Sequence, residues 1–282
     1  MTKRNHCAVV FLVACLLSPQ LYSQAPESDE RFSKGSVAAS EKQSKKIQQE
    51  LGHLKDHEWA GEYYFGDGLG VNVSLALAPE SGFVFSWHGC LGLYDLNYGD
   101  VAFTNGAVKL LFKYPNKREG FKGITPELLP VRWGERHYLI AVDRIVDFTN
   151  AINAGTEPGS LHGGRSGRFL LRRGDESRTV AGRPSLPNEF LSYILVEPIK
   201  AKVSSVEQAR TEQSRRITYV RIDVGSVDGL KLGMELYVHS PSRIFDTAVV
   251  TSVSEHSAVA VIEQPELNDP VPSTDWELST KL

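Results

Sequence analysis

The sequence predicts a mostly β chain: an antiparallel, barrel-like β-meander followed by a small β-barrel. A targeting segment and a short amphipathic helix precede both. Three observations carry this. Val71, Val73, Leu75 and Leu77 alternate with Asn72, Ser74, Ala76 and Ala78, the period of a strand with one apolar face. Turn-forming residues interrupt such runs at short intervals: Pro79-Glu80-Ser81-Gly82, Asn97-Tyr98-Gly99-Asp100 and Asn105-Gly106. After Pro198, several short strands follow one another with no helix pattern between them. The expected segments are 1–25, a signal peptide; 26–58, a polar linker and helix; 59–195, the meander; and 196–282, the small barrel.

The N-terminus reads as an export signal. Lys3 and Arg4 precede an apolar run from Cys7 to Leu17, and Ser23-Gln24-Ala25 supplies small residues for cleavage after Ala25. The run is too short to span a bilayer, and no later stretch reaches the about 20 apolar residues that spanning needs. The mature chain is therefore expected in the periplasm or outside the cell, without a transmembrane segment. A competing reading takes Leu12-Val13-Ala14-Cys15 as a lipobox and makes Cys15 a lipid anchor. The short run before Cys15, and its continuation through Leu16-Leu17, favour cleavage after Ala25. Cleavage there leaves Cys90 as the single cysteine, so no internal disulfide staples the fold. Its apolar and glycine neighbours suggest a buried thiol.

The 282 residues, 41% hydrophobic and 23% charged, are ordinary for a folded protein. With 31 basic and 34 acidic residues the formal charge is −3, and loss of Lys3 and Arg4 makes it −5. That balance argues against a nucleic-acid partner.

Residues 26–36 are polar and read as disordered. Ser40 to Glu58 reads as a helix with Ile47, Leu51 and Leu54 on one face, barely two heptads long, which suits a cap on the barrel better than a coiled coil. Phe83, Phe85 and Trp87 resume the alternation on the returning strand. Lys113 to Lys122 is a basic loop. Val131 to Val142 reads as a hairpin about Gly134-Glu135, and Asp143 to Asn153 as a helix burying Ile145, Phe148 and Ile152. Thr156 to Arg168 is a Gly- and Ser-rich loop, and Arg168 to Arg173 one more strand. Ile199 to Val206 opens the second unit, Gln208 to Arg216 reads as a charged loop, and Ile217 to Val224 alternates cleanly.

The run Val224 to Val238 holds Gly225, Asp228, Gly229 and Gly233 between two strands. This Gly-x-x-Asp-Gly-x-x-x-Gly turn resembles the small C-terminal barrel domain of flagellar assembly protein T and barrel segments of the rod-shape protein MreC. The resemblance covers about a third of the chain. It implies a fold and an envelope context, and it carries no catalytic residue. The meander resembles uncharacterised exported bacterial proteins. Its opening, Trp59-x-Gly61-x-Tyr63, looks like that of lipocalins, although core packing of a large aromatic accounts for Trp59 as well.

The sequence holds no catalytic or metal motif, and no cofactor is expected. Gly66-Asp67-Gly68-Leu69-Gly70 lacks the Lys-Ser or Lys-Thr of a phosphate loop and reads as a turn. Trp87-His88-Gly89-Cys90 brings a thiol near an imidazole, with His137 and His162 as more distant bases. Arg165, Arg168, Arg172, Arg173, Arg178 and Arg183 form a segment able to hold an anionic glycan or headgroup, but Asp175 and Glu176 in its middle suggest a hairpin with local ion pairs. The expected function is a non-enzymatic cell-envelope protein binding a protein partner or small ligand. The candidate surface is the loop region of Asp67, His88 and Tyr94. A thiol-dependent hydrolase using Cys90 and His88 is one alternative, and a purely structural scaffold is another.

Overall fold

The computed structural model describes residues 34–66, 68, 70–113, 123–158, 169–212, 214–240, 246–265 and 268–282. The chain is mostly β, and its strands form two closed antiparallel barrels. Residues 1–25, where a targeting segment is expected, and Cys15 within them lie outside the described residues. No helix among those residues is long and apolar enough to cross a membrane.

The first barrel is an eight-stranded meander: β1 (Gly61–Gly66), β2 (Val71–Ala78), β3 (Gly82–Gly89), β4 (Gly92–Thr104), β5 (Ala107–Phe112), β6 (Glu127–Trp133), β7 (Arg136–Ala141) and β8 (Phe169–Arg172). Each strand pairs with the next in sequence, and β8 closes on β1 through Tyr63 opposite Arg172. The alternation of β2 decides which face is inside. Val73, Leu75 and Leu77 point inward with Tyr63, Phe65, Phe83 and Phe85, all buried in one cluster. At about 25 cal/mol per Å² of apolar area, such burial is the main favourable term. At the Asn105-Gly106 turn both residues take positive φ, 54° and 75°, which suits a two-residue hairpin of matching twist.

Two expected features of this barrel differ. Asn97 to Asp100 is no turn; it lies inside the thirteen-residue β4. Asn97 is the cross-strand partner of Phe85, and Gly99 that of Phe83 and Phe112, whose rings meet edge to face at 5.4 Å. Glycine sits at 99 because a Cβ there would lie 1.9 Å from Leu111 O of the neighbouring strand. The reversal instead falls at Cys90-Leu91, between paired Gly89 and Gly92.

The helix α1 (Lys34–Leu51) covers one end of the barrel, starting and ending earlier than the apolar spacing suggested. Gly52 follows its last turn, and Leu54 packs against the barrel core from beyond the helix. Polar residues dock it. Gln43 Nε2 donates to the carbonyls of Ser81 and Gly99, each at 2.8 Å. The Glu50 carboxylate accepts the backbone N–H of Glu80 at 3.0 Å and of Ser81 at 2.7 Å. Burial raises the Glu50 pKa, but these bonds outweigh it and leave the pKa lowered. Trp59 is buried and stacks on Phe103 at 5.8 Å, the core role anticipated for it.

Outside the barrel, β6, β7 and β8 present a second apolar face. Tyr138 and Phe169 hold Phe148 of α2 (Ile145–Ala154) at 5.2 and 5.3 Å between ring centres. This helix also joins the two barrels. Asn150, 3% exposed, donates through Nδ2 to Gly233 O at 2.9 Å and accepts from Glu235 N at 3.3 Å. A one-turn helix, α3 (Asn188–Leu191), follows.

The second barrel comprises β9 (Lys200–Glu212), β10 (Arg215–Ile222), β11 (Glu235–Ser240), β12 (Thr247–Val253), β13 (Ala258–Gln264) and β14 (Glu277–Ser279). They close in the order β10-β13-β12-β11-β14-β9 around Val220, Ile222, Leu236, Ala260, Ile262 and Trp276. The glycine-rich run proves structural. Asp228 Oδ2 accepts Gly225 N at 2.8 Å, and a Cβ on Gly225 would lie 2.4 Å from Glu255 O. Gly229 and Gly233 take φ of 86° and 79°. The expected loop at Gln208 to Arg216 is corrected: all but the turn is strand, a hairpin arm of β9 and β10. Its β9 half is exposed on both faces, so it carries charges in place of an apolar alternation.

Candidate functional site

Of the three residues anticipated from the loops, the structure describes His88 and Tyr94. Asp67 lies outside the described residues. His88 and Tyr94 fall on opposite faces of the β3–β4 hairpin. A register shift after Trp87 makes Tyr94 the extra residue of a bulge. Its ring sits edge-on to Trp87 at 6.0 Å and over Gly89, where a Cβ would come within 2.0 Å of the ring. That is the inward side. His88 is exposed on the outward side, cross-strand from Asn72.

Cys90 is exposed, contrary to the expected burial, because the strand ends at Gly89 and Cys90 occupies the hairpin tip. The turn also removes the shared strand face on which a His88–Cys90 pair would depend. Leu91 beside it is 84% exposed, so no wall encloses the thiol. Of the more distant bases, His162 lies outside the described residues and His137 is buried elsewhere. Beneath the hairpin, Asp95 and Asn97 are buried inside the barrel. Asp95 Oδ1 accepts from Leu96 N at 2.9 Å and Asn97 Nδ2 at 3.2 Å, and Gly123 closes over them.

An open groove of about 800 Å³ lies at the opposite, helix-covered end. One wall is the last turn of α1 and the chain after it: Gln48, Leu51, Gly52, Leu54 and Asp56. The floor is Ala60 and Gly61. The other wall is Glu62 of β1 with Arg172, Arg173 and Arg178. Arg172 is the last residue of β8 and faces inward, across from Tyr63. Its side-chain hydrogen bonds among the described residues leave from Nη2: to His57 O at 2.6 Å, Glu58 O at 3.2 Å and the Tyr63 hydroxyl at 3.2 Å. Nε is buried against Gly61 with no partner. Nη2 therefore fixes the group, Nε is shut in behind Gly61, and Nη1 has no hydrogen bond among the described residues. Arg173 lies over the Tyr64 ring at 4.7 Å. Neither Arg172 nor Arg173 has a carboxylate partner among the described residues.

Among the described residues of this segment, the expected local ion pair is that of Arg178, whose Nε lies 3.1 Å from Asp175 Oδ1. Asp175 is 1% exposed, and its Oδ2 accepts both His137 N and His137 Nδ1 at 2.8 Å. Burial lowers the His137 pKa; the Asp175 bond opposes this, and Arg172 and Arg132 reinforce it. Burial likewise pushes the Tyr63 hydroxyl up to about 12, against the pull of Arg172, so it stays neutral, donating to Trp59 O at 3.0 Å and accepting from Arg172. The sequence marked the arginines but not the groove, which joins segments 115 residues apart.

Compared with protein-family models, curated proteins and solved structures, the chain matches none.

Proposed function

We propose that this chain is a non-enzymatic binding module of the bacterial cell envelope, and that its ligand places an anionic group in the groove between α1 and β8. One observation supports the site most: a guanidinium held through Nη2, without a carboxylate partner, on the wall of an open groove. A positioned Arg donates charge-assisted hydrogen bonds to carboxylate and phosphoryl groups, and its immobilisation reduces the ordering cost of binding. The envelope half of the proposal rests on Lys3, Arg4 and the apolar run to Leu17. Recovery of Met1 at the mature N-terminus would remove it.

The groove is tested by NMR titration of the folded chain with methyl phosphate and with N-acetyl-Leu-Leu. Amide shifts are expected to cluster at Gly52, Leu54, Gly61 and Arg173. They should be lost in Arg173→Gln, whose side chain carries no structural ion pair, and in Gly52→Trp, which fills the groove without touching a charge. Shifts that persist in both variants, or that scatter over unrelated basic residues, refute the site.

A further inference from the structure

Taking the groove as the ligand site, we infer that its ligand is a zwitterion: an anionic group beside Arg172 and Arg173, and an ammonium on the opposite wall. The two sides carry different charges: the guanidiniums of Arg172 and Arg173 lie on the β8 side with Glu62 next to them on β1, and Asp56 and His57 line the side of α1. The β8 wall carries the two guanidiniums without carboxylate partners. The facing wall is the C-terminal turn of α1, the negative end of the helix dipole, extended by Asp56. Asp56 and Glu62 both border the groove, and neither has a cation at ion-pair distance among the described residues. Cations and carboxylates thus share one cleft without neutralising each other. A purely anionic ligand would satisfy Arg172 and Arg173 while being repelled by Asp56, Glu62 and the helix terminus. A ligand with both charges satisfies both walls, and Leu51 and Leu54 leave room for an apolar part between them.

The backbone at Asp56 makes the test clean. Its φ is 51°, a left-handed conformation that Asn adopts as readily as Asp, so Asp56→Asn removes the charge without altering the turn. Two pairs of probes share one anion and differ in the ammonium: Leu-Leu against N-acetyl-Leu-Leu, and phosphoethanolamine against methyl phosphate. Calorimetric titration is expected to show the zwitterion of at least one pair binding about tenfold more tightly than its blocked twin. The better pair tells a peptide-like ligand from a headgroup-like one. In Asp56→Asn/Glu62→Gln the tenfold gap should close, while Arg173→Gln should weaken both members of the pair. If the blocked twins bind as well as the zwitterions, and Asp56→Asn/Glu62→Gln tightens them, the ligand is a simple anion and the inference is wrong, with the groove intact. If no probe responds to Arg173→Gln or Gly52→Trp, the groove itself is wrong.

Discussion

Asp175→Ala is expected to destabilise the first barrel by about 3–5 kcal/mol, the cost of breaking a buried charged hydrogen-bond set by removing one partner. Its carboxylate is 1% exposed, accepts two bonds from His137 and forms an ion pair with Arg178. Without it the His137 backbone N–H and imidazole lose their acceptor in the interior, and Arg178 loses its anchor at the groove. Asp175→Asn retains one acceptor oxygen and should cost clearly less. Urea unfolding followed by far-ultraviolet circular dichroism measures both, and a loss under about 1 kcal/mol for the alanine variant would contradict the buried network. The same site sets a pH dependence. Burial first, then Arg172 and Arg132, hold the His137 pKa below its ordinary value, against the pull of Asp175. The unfolded chain therefore binds more protons than the folded one between the lowered pKa and about 6.5. Stability is full above that range and falls as the pH drops through it. His137→Asn keeps a donor toward Asp175 and should flatten this slope.

What the sequence disclosed follows the physics of burial. Where a strand has one wet and one dry face, as in Val71 to Ala78, the alternation is visible and the structure follows it. Where a turn needs positive φ at two residues, Asn105-Gly106 announces it. Ile145, Phe148 and Ile152 mark α2 because that helix buries one stripe against the barrel wall. The β9–β10 arm was illegible for the converse reason: with both faces of its β9 half in water, it has no period to read. Cys90 misled because apolar neighbours suggest burial, whereas a two-residue turn places those same neighbours at an exposed tip. The docking of α1 was hidden because Gln43 and Glu50 bond to backbone, which carries no residue-specific signal. The groove was least legible of all. Its walls come from residues 48–62 and 172–178, so no local spacing joins them; only barrel closure between β1 and β8 does.

The β4–β5 pairing in the same barrel depends on a glycine in the middle of a strand. Gly99→Ala is expected to cost about 3 kcal/mol, near the upper range for overpacking a tight interior site. A Cβ at Gly99 would lie 1.9 Å from Leu111 O and 3.0 Å from Lys113 N, both backbone atoms that cannot swing aside as a side chain would. Relief requires β4 and β5 to separate, which strains the bond from Lys113 N to Tyr98 O at 2.8 Å and the packing of Phe83 on Phe112. The Gly99 carbonyl also receives Gln43 Nε2, so the shift is transmitted to α1. Gly106→Ala provides the comparison. Its φ of 75° makes alanine unfavourable, but nothing lies within 4 Å of the added carbon, and the expected cost is about 1–2 kcal/mol. Urea midpoints for the two variants should therefore rank Gly99→Ala well below Gly106→Ala. Amide exchange in α1 should accelerate only in Gly99→Ala, since only that substitution disturbs a docking bond of the helix. Equal midpoints, or unchanged exchange in α1, would show that the barrel end and its helix are not coupled through this carbonyl.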